Sequence, residues 1–112
     1  MNTNLLILRA DGSSETRAIE MAADPRYQEI RRAVQGVWGH GNAYPEHVAV
    51  LHEGRRADMF VHEDGHGAGL PRNEAATAIY RTWHLSRNPD DDPESLPWIA
   101  GNAVLFDRIV WS

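Results

Sequence analysis

Two pairs of short alternating segments, each closed by a turn and each followed by a stretch of three- and four-residue periodicity, constrain this chain most. Asn4 to Arg9 is a tight run of Leu and Ile bounded by polar residues. Thr16 to Glu20 alternates, with Thr16, Ala18 and Glu20 opposite Arg17, Ile19 and Met21. Asp11-Gly12-Ser13-Ser14 between them is turn chemistry, because Asp and Gly tolerate the positive φ that a hairpin demands. The second pair is His47 to Glu53 and Arg56 to Glu63, joined by Glu53-Gly54-Arg55. Here Val48, Val50 and His52 share a face opposite Ala49 and Leu51, while Asp58, Phe60 and His62 oppose Met59 and Val61.

The periodic stretches predict two helices. Asp24-Pro25 marks the first start, with Asp24 as cap and Pro25 at a position whose N–H has no partner anyway. Tyr27, Ile30, Val34 and Val37 or Trp38 form its apolar face, and Gly36 stops it after about twelve residues. The second helix starts at Asn73, a capping residue supported by Glu74, and its face is Ala75, Ile79 and Trp83 with Ala76 and Tyr80 beside it. Asn88 to Pro97 (NPDDDPESLP) is an acidic, Pro-punctuated loop. Ala103 to Trp111 is a final strand. The order β-β-α-β-β-α-β predicts a single α+β domain over residues 1–112, with helices on a mainly antiparallel sheet of about five strands. A chain of 112 residues, 42% hydrophobic, can fill one such core.

Composition removes several function classes. With no cysteine there is no disulfide, thiolate metal site or cysteine nucleophile. Net charge is −5, which disfavours direct nucleic-acid binding and anionic membranes. The opening MNTNLLILRADGSS lacks a basic region, and its apolar run is only Leu5 to Leu8, which predicts neither a signal peptide nor a membrane span. A cytoplasmic protein of a bacterial host cell is the expectation. No GxSxG, Walker or dinucleotide fingerprint occurs, so no catalytic residue and no cofactor is assigned.

Three constellations remain. The first is Gly69 to Thr77 with the Gly-rich run before it. A flexible loop delivering N–H groups to a helix start can receive an anion or polar partner, which nominates Gly67, Gly69, Arg72, Asn73 and Thr77, with Arg72 as a bidentate fork. Of the four tryptophans Trp98, after the acidic loop, is the one expected to be partly exposed and to wall a ligand. The second is a histidine cluster, His52, His62 and His66 with a nearby carboxylate, which would suit a metal-assisted hydrolase or nuclease. The third is the acidic loop itself, where Asp90, Asp91, Asp92 and Glu94 would block a basic, nucleic-acid-binding enzyme. Glu53, Asp58, Glu63 and Asp64 read as exposed strand-end charges rather than an acid–base pair.

FVHEDGHGAGLPRNEAATAIY, Phe60 to Tyr80, followed by IAGNAVLFDRIVW, Ile99 to Trp111, resembles the family of domain of unknown function 3846. Members are similar in an acidic-Gly turn, a Gly-Leu-Pro-x-Asn run with an Ala-Thr pair, and a later Ile-x-Gly before an apolar strand. His62 stands where the pattern has an acidic or amide residue. The resemblance implies a phage or mobile-element context and a shared fold, and it implies no catalytic residues. The function expected is a non-enzymatic accessory protein that binds a host protein or a small nucleotide-like ligand. The apolar last strand, ending at Trp111-Ser112, would serve as a sheet edge for a homodimer.

Overall fold

The structure, a computed structural model, describes residues 1–111. Its elements are β1 (Asn2–Leu8), β2 (Ser14–Glu20), α1 (Tyr27–Gln35), β3 (Pro45–His52), β4 (Arg55–His62), α2 (Glu74–Arg87) and β5 (Ala103–Phe106), with a 3₁₀ turn at Pro93–Ser95. All five strands form one antiparallel sheet in the order β2-β1-β5-β4-β3. The predicted α+β architecture and element order are therefore present.

The two hairpins are the outer parts of the sheet, and β5 slides between them. Leu5 pairs Phe106 on one side, and Phe60 pairs Val104 on the other. All four residues of β5 are buried, as a strand with both faces and both edges covered requires. The final strand is thus central, which overturns the expectation that it is a free edge for dimerisation. It is also shorter than the predicted Ala103–Trp111. The cause is Asp58 of β4, fully buried, whose Oδ2 accepts the N–H groups of Val110 and Trp111 at 2.8 and 2.9 Å. Those two donors are taken by a carboxylate rather than a strand. Asp58 is accordingly no exposed strand-end charge.

The helices cover opposite faces of the sheet. Side chains alternate along each strand, so Leu5, Ile7, Phe60, Val104 and Phe106 point to one face, where Ile30, Val34 and Trp38 from α1 and its exit meet them. Leu8, Val50, Met59, Val61, Ala103 and Leu105 point to the other, under Ala76, Ile79, Tyr80 and Trp83 of α2. Trp38 has no exposed surface and centres the first layer; losing such a side chain costs about 3–5 kcal/mol. On α2 the buried stripe runs through Ala76 rather than Ala75, which is exposed, so the helix is turned one residue from the predicted face.

Three boundaries moved for local reasons. α1 spans nine residues and starts at Tyr27; Asp24 does not cap it, and Arg26 at the cap position makes no side-chain cap bond. Glu29 instead reaches back to the Ala22 N–H at 2.9 Å. β3 begins at Pro45, which an outer strand accepts because the missing N–H breaks no ladder. The second hairpin closes on Glu53 and Gly54, with φ of 52° and 77°, a two-residue turn whose twist matches the strands.

Candidate binding site

The start of α2 is tied to the chain before β5. Asn73 is fully buried and uses its whole amide: Oδ1 accepts the Ala76 N–H at 3.0 Å, and Nδ2 donates to the carbonyls of Leu8 and Gly101, each at 2.9 Å. Its main-chain N–H donates to Ile99 O at 2.8 Å. Thr77, 2% exposed, accepts the Ile99 N–H on Oγ1 at 2.9 Å. Both residues were expected to meet a ligand. Neither has surface or free polar atoms to offer, so these two positions are corrected to joints of the fold. Of the N–H groups at the helix start, those of Asn73 and Ala76 are already held, by Ile99 O and by Asn73 Oδ1.

Gly67 and Gly69 are exposed in a coiled run of turns. The N–H groups of Ala68, Gly69 and Leu70 donate to Asp64 O, His66 O and Gly65 O, which folds the run on itself rather than opening a cradle. Gly69 takes φ of 70°, and the space where a Gly67 side chain would start is filled by the Asp64 carboxylate. Arg72 lies half-buried, its Nε 2.9 Å from Glu74 Oε1 and its guanidinium 6.0 Å from the centre of the Trp98 ring. The predicted anion fork thus has the exposed Glu74 carboxylate beside its Nε.

Trp98 does stand at a concavity. A pocket of about 270 Å³ opens between the 62–66 turn, the start of β3, α2 and the 97–100 segment. Val48, Val61, Tyr80, Trp98 and Ile99 give it apolar and aromatic walls, and Glu46, Glu63 and Asp64 stand around them. Trp98 is positioned by His66, whose ring lies 4.1 Å from the indole and whose Nε2 is 2.7 Å from the Trp98 carbonyl; this pairing makes Nε2 the protonated nitrogen. Trp98 is half-buried and so partly exposed, and Trp111 at 38% exposure is also open.

The three histidines do not converge. His62 and His66 line this pocket, while His52 pairs with Arg55 at the other end of the β3–β4 hairpin. Among the described residues no group of three His, Cys, Asp or Glu is placed to hold a metal. His62 has a different neighbour: its ring lies 5.3 Å from that of His40 and stacks at 6.0 Å on Trp38. His40 Nε2 accepts the Asn102 N–H at 2.9 Å, and burial, followed by the nearby His62, holds its pKa below the ordinary value.

Two features lay outside the sequence reading. The Asp58 carboxylate receives His47 Nε2 at 2.7 Å besides the two tail N–H groups, with Arg56 3.5 Å away. A carboxylate inside the run Ala57-Asp58-Met59-Phe60-Val61 was the available signal. The other feature is a broader hollow of about 810 Å³ on the sheet face that α2 leaves open, floored by Leu6, Ala57 and Leu105 and edged by His52 and Arg55. In the acidic loop, Asp91 is bound to His84 at 2.7 Å, Asp92 caps the 3₁₀ turn, and Glu94 stands 3.9 Å from Arg81, so most of that charge serves the loop itself.

No helix among the described residues is long and apolar enough to cross a membrane. No family model matches the chain, and no curated protein or solved structure matches it.

Proposed function

We propose that this chain is a non-enzymatic accessory protein of phage or mobile-element type that binds a host protein at the pocket beside Trp98. The observation that supports it is the construction of that pocket. Segments distant in sequence, around Glu46, His62–His66, Tyr80 and Pro97–Ala100, place aromatic and charged groups at one concavity. Its volume falls just under the about 300 Å³ at which small-molecule pockets begin, which suits one side chain of a partner better than a whole free ligand. The resemblance to domain of unknown function 3846 carries the mobile-element setting.

A pull-down from bacterial lysate with the wild-type chain and with Trp98→Ala tests this. A protein captured by the first and lost with the second supports the reading; capture that is equal, or absent from both, overturns it. A small nucleotide-like ligand is the second reading, and a different observation favours it. The hollow edged by His52 and Arg55 has the volume of a small-molecule site, and Arg55 forms no ion pair with a described residue.

A further inference from the structure

We propose that the Trp98 pocket is a docking site for a single long basic side chain, arginine or lysine, presented by a partner protein. The inference rests on the binding reading above and names the chemistry of what is bound. No arginine lines the pocket, and the chain contains no lysine at all. Glu46, Glu63 and Asp64 make no ion pair with any described residue, although nine such pairs occur elsewhere in the molecule. Between these carboxylates the wall is Tyr80, Trp98, Val48, Val61 and Ile99. A basic side chain has this same division along its length: an apolar stem for the wall and a cationic head for the rim. Aromatic rings attract such a head through their quadrupole, and Arg72 already lies 6.0 Å over the Trp98 ring.

His62 Nδ1 accepts the Asp64 N–H at 3.0 Å and His66 Nε2 donates to the Trp98 carbonyl at 2.7 Å, so both of these ring nitrogens are engaged within the fold. An anion, by contrast, would face three carboxylates with no arginine or lysine in the lining. Charge complementarity therefore selects the basic occupant over a phosphate at this pocket.

The test uses the intact chain, ¹⁵N-labelled, titrated with N-acetyl-arginine methylamide, N-acetyl-lysine methylamide, the neutral citrulline analogue and AMP. Shifts of the Trp98 indole N–H and the amides of Glu63, Asp64 and Tyr80 with the two basic probes, and not with citrulline, support the proposal. The variant Glu46→Gln, Glu63→Gln, Asp64→Asn changes charge at exposed positions and is expected to weaken that binding about tenfold, since each exposed ion pair contributes modestly. Its amide spectrum reports folding independently. Equal binding of citrulline, or no effect of neutralisation, overturns the basic side chain while leaving a binding pocket. AMP shifting these same resonances also overturns it, whereas silence at the pocket with all four probes removes both this proposal and the reading beneath it. A zero-length carboxyl–amine crosslink gives a second readout. Because the chain has no lysine, a crosslink to a lysine-bearing probe peptide whose own carboxyl groups are blocked must join one of this chain's carboxylates to the probe's amine, and Glu46, Glu63 or Asp64 is the expected site.

Discussion

Asn73→Ala strikes three contacts at once. The alanine removes the cap on α2, which costs about 1 kcal/mol. It also strips the Leu8 and Gly101 carbonyls of a buried donor, and each orphaned acceptor costs about 1 kcal/mol or more. The total is about 3 kcal/mol, a large part of the about 5–15 kcal/mol that holds a domain together. With an unfolding entropy of about 2.1 cal/mol/K per residue, Tm should fall by about 10–15 °C. Urea unfolding followed by circular dichroism gives the same loss as a lower midpoint with an unchanged slope. Two companion variants separate the contacts. Asn73→Ser retains a cap and should lose less than alanine. Asn73→Asp retains the cap acceptor but turns a buried carboxylate towards two carbonyl oxygens, and should lose more. The reasoning is refuted if alanine costs under about 1 kcal/mol, or if aspartate is as stable as asparagine, because the amide donors would then contribute nothing.

Two further perturbations follow from the site geometry. His40 has a depressed pKa in the folded state, so the unfolded chain binds more protons between that value and the ordinary 6.5. The contribution of His40 is thus complete above pH 6.5 and is lost as pH falls through the folded pKa; denaturation midpoints between pH 5 and 8 should show a slope that His40→Gln flattens. Asp58→Asn should cost about 3 kcal/mol, since the amide cannot accept from His47, Val110 and Trp111 together. Hydrogen exchange at the Val110 and Trp111 amides should accelerate in that variant, and unchanged protection there would refute the anchoring role.

Much of the fold was legible because local rules and tertiary packing agree. Leu5 and Ile7 alternate as a strand should, Tyr27 to Val34 keeps a helical stripe, and Asn73 is a capping residue placed where a helix begins. The site was read less well. Asn73 and Thr77 carry polar groups of the kind that bind ligands, yet the same groups can serve the backbone, and only spatial neighbours decide which. Leu8 and Gly101 lie 65 and 28 residues from Asn73, so no local pattern could reveal them. The histidine cluster fails because the antiparallel β3–β4 hairpin sets His52 at its turn and His62 at its far end.

By itself the sequence determined the strand and helix segments, their order and the single α+β core, because side-chain periodicity and turn chemistry act over a few residues. Tertiary structure decided that β5 enters the middle of the sheet and that the helices cover opposite faces. It also buried Asp58 and gathered Glu46, Tyr80 and Trp98 at one pocket. The reason is that alternation fixes which residues share a face but not which strand lies beside which. That choice follows from covering both apolar faces and satisfying every buried polar group, and it is made by the whole chain at once.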